Sequence, residues 1–337
     1  MATTTGTATD YQDLLIKFRD YIISVPAGSH WVTERNDVAG DYEMIFKGDG
    51  GATDEIYFGL RTYFNATDGY YNWELRGYTG YLVGSTFETQ PGVSLPSYIP
   101  LQNTVMTYWF YVTGRRVCMV VKTGTAYQFL YAGFFDQFAT ADEYPYPMLV
   151  MGSTYRQEEL FNGNYVGASS SNSPAGDGSG NSSSYLRFVD GQWYSVVNFT
   201  PTGGNESATF AGPIKVWPLA SQISASEVAD PADRPVDGDN FRTLFHSASP
   251  GGVPSTNMLQ TENDLALPAV VMLPATLFMH SPSKQLLGEI HNIYWCSYGG
   301  GVTAEDVITD GISADTFMVF QNIHRTDTWT GVTIREE

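Results

Sequence analysis

The chain has 337 residues, enough for one large or two medium domains, and its 42% hydrophobic and 14% aromatic content excludes a disordered polymer. Seventeen Lys and Arg stand against 36 Asp and Glu for a formal net charge of -19, and the densest basic run is the pair Arg115 and Arg116, which excludes a phosphate-neutralising, nucleic-acid-binding surface. Only Cys118 and Cys296 are present, so a disulfide framework is excluded and a reducing compartment is the simpler expectation.

Residues 1–9 are rich in Thr and hold nothing that could build a core, so they are expected to form an arm ordered by contact with a neighbouring subunit. A helix follows. Thr9 and Gln12 have capping-box spacing, Leu14, Leu15, Phe18 and Ile22 recur at helical period, and Pro26 and Gly28 stop the run. Asp10, Asp13, Lys17, Arg19 and Asp20 interrupt this region, so it holds no apolar signal-peptide core and folding in a cytoplasm is expected.

Beyond Gly28 the pattern changes to short β-branched and aromatic runs punctuated by Gly, Asn, Asp and Pro, which reads as strands and turns. Strands are expected at 55–63, 70–81, 105–112, 116–123, 126–134, 194–199, 214–219, 270–279, 290–298 and 316–323. Thr113-Gly114 and Thr123-Gly124 make 105–134 a three-stranded antiparallel meander, with Tyr111 and Val117 as near cross-strand neighbours. The tract 167–184 is built from Ala, Ser, Asn, Gly, Pro and Asp and is a flexible loop or a linker, and a second polar stretch rich in Asp and Pro covers 225–240. The most apolar stretch, 265–279, is shorter than the ~20 residues of a membrane span and contains Pro268 and Pro274, so it reads as buried strand. The expected fold is mainly β: an antiparallel β-sandwich or paired β domains with an N-terminal α-helix. The divisions are 1–28 (arm and helix), 29–166 (β domain with the aromatic meander), 167–184 (loop or linker) and 185–337, a second β region that packs with the first or stands apart.

Chemistry-bearing motifs are scarce. His30, His246, His280, His291 and His324 show no metal-ligand spacing, though His280 and His291 could meet across a hairpin. Asp230, Asp233, Asp237 and Asp239, or Asp49, Asp54 and Glu55, could offer oxygen ligands to a hard cation, but neither set completes an EF-hand, and turn Asp residues more often bond their own backbone. The chain has no nucleophile elbow, P-loop or dinucleotide fingerprint. Glu74 and Glu289 are the carboxylates a glycan hydrolase would need, each more simply read as a solvated or salt-bridged strand residue. No catalytic, cofactor or metal residue is therefore assigned, and the expectation is a non-enzymatic protein.

The aromatic surplus is the feature that asks for an explanation. Tyr70, Tyr71, Trp73, Tyr78 and Tyr81 lie close together, and Tyr108-Trp109-Phe110-Tyr111 run consecutively, so rings occupy both faces of their strands. Either two-sided burial in a sandwich hides them, or their outer faces meet a partner or a sugar. On the second reading Tyr71, Trp73, Tyr78, Tyr81, Trp109 and Tyr111 are the candidate interface aromatics.

Several patches resemble a family of virion structural proteins of tailed phages. They are Tyr57-Phe58-Gly59-Leu60 with Thr62-Tyr63, the run Tyr70-Tyr71-Asn72-Trp73-Glu74-Leu75-Arg76-Gly77-Tyr78-Thr79-Gly80-Tyr81, then Tyr108-Trp109-Phe110, Gly114-Arg115-Arg116-Val117 and Tyr131-Ala132-Gly133-Phe134. The resemblance continues in Glu143-Tyr144-Pro145-Tyr146-Pro147, Leu287-Gly288-Glu289-Ile290 and Phe320-Gln321-Asn322-Ile323-His324-Arg325. It implies a subunit of the tail or baseplate, present in several copies, whose partners are other virion proteins and not nucleic acid or membrane. A receptor- or host-glycan-binding module of the tail is the alternative.

Overall fold

The computed structural model describes residues 1–25, 31–50, 55–138, 148–154, 157–158, 184–187, 193–198, 214–217, 270, 272–279, 285–297, 301–321 and 330–336. The chain is mainly β, with antiparallel sheets and one N-terminal α-helix. In chain order its elements are β1 (Ala2–Ala8), α1 (Tyr11–Ser24), β2 (Trp31–Asp37), β3 (Glu43–Gly48), β4 (Ile56–Asn65), β5 (Tyr70–Tyr78) and β6 (Ser97–Ile99). Then come β7 (Met106–Val112), β8 (Arg116–Thr123), β9 (Ala126–Phe134), β10 (Asp136–Gln137), β11 (Met148–Met151), β12 (Ser184–Arg187) and β13 (Trp193–Asn198). The last are β14 (Ile214–Trp217), β15 (Met272–Met279), β16 (Gln285–Ser297), β17 (Val307–Thr309), β18 (Thr316–Gln321) and β19 (Thr330–Arg335). The tract 167–184, apart from Ser184, and the stretch 225–240 lie outside the described residues.

The Thr-rich start is not a free arm. Residues 2–8 form β1 and pair antiparallel with β7, from Ala2 opposite Val112 to Ala8 opposite Met106. Alternating β-branched Thr residues suit a pleated surface, the Thr5 hydroxyl donates to Tyr108 O at 2.9 Å, and Ala8 is buried. The helix cap also falls one residue later than the Thr9–Gln12 spacing suggests. Asp10 Oδ1 accepts from Gln12 N at 2.9 Å and Asp13 N at 2.8 Å, because an ionised carboxylate meets the positive end of a helix better than a hydroxyl does. The helix ends as expected. Val25 precedes Pro26, whose ring excludes its predecessor from the α region, and Val25 has ψ 127.

The meander is present with two-residue chemistry at its second turn, where Gly124 takes φ +63 between the partners Thr123 and Ala126. Across its first turn Tyr111 lies opposite Cys118 and Val117 opposite Val112, so Tyr111 and Val117 are near cross-strand neighbours as expected, though on opposite faces of the sheet. Thr113 Oγ1 sets this register by accepting the backbone N–H groups of Arg115 and Arg116, each at 3.1 Å.

Strands β2 to β6 form one five-stranded antiparallel sheet in chain order. The 14-stranded sheet begins with β1, β7, β8, β9, β11, β12 and β13, crosses a parallel pairing to β14, and ends with β15, β16, β19, β18 and β17. Its last portion folds back over the meander, and the short strand β10 holds it there by pairing with β16, Asp136 opposite Glu289.

The meander is therefore the middle of three layers. One face carries Phe110, Val112, Val117, Met119, Val121, Leu130 and Ala132 and packs on α1 and the smaller sheet, where Phe18, Phe46, Phe58 and Trp73 meet it. The other face carries Trp109, Tyr111, Cys118, Val120, Tyr127 and Tyr131 and packs on Leu277, Leu287, Ile290, Phe320 and Ile334 of the returning strands. Strands buried on both faces read as continuous apolar runs rather than alternating ones, which is why 108–111 is a row of rings.

Candidate functional site

The six candidate interface aromatics divide by exposure. Trp73, Tyr78, Trp109 and Tyr111 are buried inside the chain, at 0, 1, 7 and 1% exposure, so their rings cannot meet a partner or a sugar while the fold is closed. Trp73 donates its indole N–H to Tyr11 O at 2.9 Å, and Tyr78 donates its hydroxyl to Phe87 O at 3.0 Å. Burial pushes the Tyr78 and Tyr111 hydroxyls well above the ordinary tyrosine range. Tyr71 and Tyr81 are partly exposed: Tyr71 tilts against Tyr11 with ring centroids 5.4 Å apart, and the Arg35 guanidinium lies 5.7 Å over the Tyr81 ring. The physical reason for this division is where each ring sits: the returning strands of the same sheet cover Trp109 and Tyr111, α1 covers Trp73, and Tyr78 packs on Phe87, so these four rings are buried by intramolecular packing.

The carboxylates that a hydrolase would use are engaged. Glu74 is 2% exposed and lies between Arg61 Nη2 at 2.7 Å and Arg76 Nε at 2.5 Å, while the other end of Arg61 pairs with Glu88. Glu289 faces Asp136 across the β10–β16 pairing, and its pKa is raised by burial and by that neighbouring charge. Asp136 in turn meets His291 Nδ1 at 2.5 Å. Glu55 of the second acidic set is bonded by Lys47 and the Tyr57 hydroxyl. His280 and the 230–239 cluster lie outside the described residues. Cys118 and Cys296 are free and buried, and burial pushes the Cys118 thiol up to about 11, which makes it an inert packing group.

The Asp136–His291 pair gives a testable acid limb. Burial works to raise the Asp136 carboxyl, but the hydrogen bond and charge of His291, with Arg115 and Arg116 beyond, outweigh it and hold the group below its ordinary 3.8. A depressed folded pKa stabilises the fold above 3.8 and the contribution is lost as pH falls below it. Glu289, raised from 4.5, acts in the opposite sense and at higher pH. Below about pH 4, thermal melts of Asp136→Asn should therefore fall less steeply than those of the parent chain. The difference should lie within the ~0.2 to 1 kcal/mol of a half-exposed ion pair. Parallel melting curves for the two proteins would remove this assignment.

What remains open is an edge. Among the described residues five strands, β1, β2, β6, β10 and β17, pair on one side only, and all but β1 are blunted, β10 by being two residues long with Asp136 in it. Strand β2 carries Glu34, Arg35 and Asp37 and a bulge between Thr33 and Arg35. Strand β6 is three residues long and meets Thr154 through a bridge at Tyr98. Strand β17 is also three residues long and is flanked by Glu305, Asp306 and Asp310. These are the usual protections against unwanted strand addition.

Strand β1 has none of them. Its seven residues, Ala-Thr-Thr-Thr-Gly-Thr-Ala, include no charge, no Pro and no bulge, and among the described residues it is hydrogen-bonded on the β7 side only. Thr3, Thr5 and Thr7 are exposed on one face. On the other face Tyr108 lies flat across Gly6, where a Cβ would sit 2.6 Å from the tyrosine oxygen, so the strand is held close and straight against β7. A long, neutral, regular edge with unpaired backbone groups is a template for another strand.

No protein-family model and no curated protein matches the chain. Among the described residues no helix is long and apolar enough to cross a membrane. Strand β1 is thus the surface feature that most invites a partner. Composition concealed it: Thr and Gly between Ala residues give no apolar alternation, and the usable signal was the absence of charge in a chain that carries -19.

Proposed function

We propose that the chain is a structural subunit of a tailed-phage virion, in the tail or baseplate, acting through protein–protein contacts rather than catalysis. The observation that carries this reading is that β1 is the one unprotected edge strand among the described residues, and strand addition at such an edge links subunits through backbone hydrogen bonds. The patches that resemble phage virion proteins give the kind of assembly.

Substituting Thr5→Lys tests the reading, since a lysine on an edge strand is how proteins discourage added strands. Thr5 is exposed and gives up one hydrogen bond, to Tyr108 O, so the free subunit should stay folded and lose no more than ~0.5 to 1.5 kcal/mol. The expected result is that purified particles contain the parent chain and that the lysine variant, expressed in its place, is left out of them. Particles without the chain, or with the variant at parental level, would overturn the proposal.

A further inference from the structure

We infer that the strand received by β1 is β1 of a second copy, running antiparallel across a two-fold axis at Thr5; this rests on the assembly reading above. The sequence of the strand is close to self-complementary about its centre. An antiparallel pairing that sets Thr5 opposite its own equivalent also sets Thr3 opposite Thr7, Thr4 opposite Gly6 and Ala2 opposite Ala8. Residues directly opposite in an antiparallel pair share a face. The exposed face then becomes a row of Thr–Thr pairs, a favoured cross-strand combination, and the other face carries only small groups, so the strands can approach without steric conflict.

Charge is compatible with the same occupant at this strand. Each copy carries -19, so most of the surface resists a second copy, whereas β1 brings no charged side chain to the contact. A two-fold contact uses the same patch on both partners, and only a patch complementary to itself can do this. A pair of seven-residue strands is smaller than the ~1,200 to 2,000 Å² of a stable independent interface, so the free subunit should dimerise reversibly and the contact should be consolidated by other contacts in an assembly.

Cysteine cross-linking of the full-length chain reads the register. Cys118 and Cys296 are buried, so mild oxidation should leave them unreacted. Thr5→Cys should cross-link to itself, Thr3→Cys should not, and a mixture of Thr3→Cys with Thr7→Cys should cross-link as a heterodimer. Sedimentation velocity over a concentration series should show a monomer–dimer equilibrium for the parent chain and loss of the dimer in Thr5→Lys, with circular dichroism confirming that every variant is folded. Cross-linking of Thr3→Cys to itself as readily as Thr5→Cys would refute the register. A parent chain that stays monomeric, with no Thr5→Cys product, would refute the second copy. If in addition Thr5→Lys is excluded from particles, a different protein covers β1 and the assembly reading survives without this inference; if Thr5→Lys is incorporated normally, both fall.

Discussion

Phe320→Ala is expected to destabilise the chain by ~3 to 5 kcal/mol, because the phenyl ring is the plug between the meander and the strands that fold back over it. Phe320 lies on β18 at 0% exposure, with ring centroids 5.2 Å from Trp109, 5.9 Å from Tyr127, 6.2 Å from Phe129 and 6.5 Å from Tyr111. Three of these contacts are edge-to-face, the arrangement aromatic quadrupoles prefer, and each adds ~0.5 to 1.5 kcal/mol beyond the area buried. Truncation removes them together and leaves a cavity bounded by sheets on both sides, which cannot collapse without moving a strand. Urea titration should show a lower midpoint at unchanged slope. A loss under about 1 kcal/mol would mean that the returning strands do not cover this face, and the rings of β7 would again be free to serve as an outer surface.

Trp73→Ala should cost a similar ~3 to 5 kcal/mol, for a different combination of reasons. The indole sits at 0% exposure in the other core, 6.1 Å from the Phe18 ring of α1, and its N–H satisfies Tyr11 O in the first turn of the helix. Removing it empties the space between helix and sheet and takes one of two hydrogen bonds from the Tyr11 carbonyl, which keeps its helical partner Leu15, so the lost packing dominates. Trp73→Phe separates the two parts, since it retains most of the packing and loses only the hydrogen bond. If Trp73 instead stacked on a sugar at the surface, alanine would abolish glycan binding and leave the guanidinium midpoint in place. A midpoint unchanged in Trp73→Ala would therefore contradict the buried position directly.

Ten of the 19 described strands were visible in the amino-acid pattern, and β2, β3, β6, β11, β12, β17 and β19 were among those that were not. Expected and observed limits coincide for β8 and β9, and β4, β5, β7, β13, β14, β15, β16 and β18 fall on expected segments with shifted ends. Turn residues and β-branched runs are local signals, and they survive in the fold. Layering is not local. The run Tyr108-Trp109-Phe110-Tyr111 announces two-sided burial, but periodicity cannot say whether the second cover comes from the same chain, and here Phe320 and Ile334 supply it from more than 200 residues away. The same limit hid β1, whose Thr side chains look like solvent-facing linker until β7 is placed beside them. It also hid β10, two residues whose only distinction is the partner they find in β16.

The pairing of β1 with β7 sets an order of events during synthesis. Ala2 emerges from the ribosome 110 residues ahead of Val112, its partner, and at ~5 to 20 residues per second that interval is roughly 5 to 20 s. The hairpins of β7, β8 and β9 close on their own within microseconds once made, so the acceptor forms quickly and the donor has been waiting. Until β7 is made, β1 has no strand partner among the described residues, and on a polysome the nearest ready-made β7 can belong to the neighbouring nascent chain. Exchange of β1 between sister chains is thus a hazard of making this protein at high local concentration.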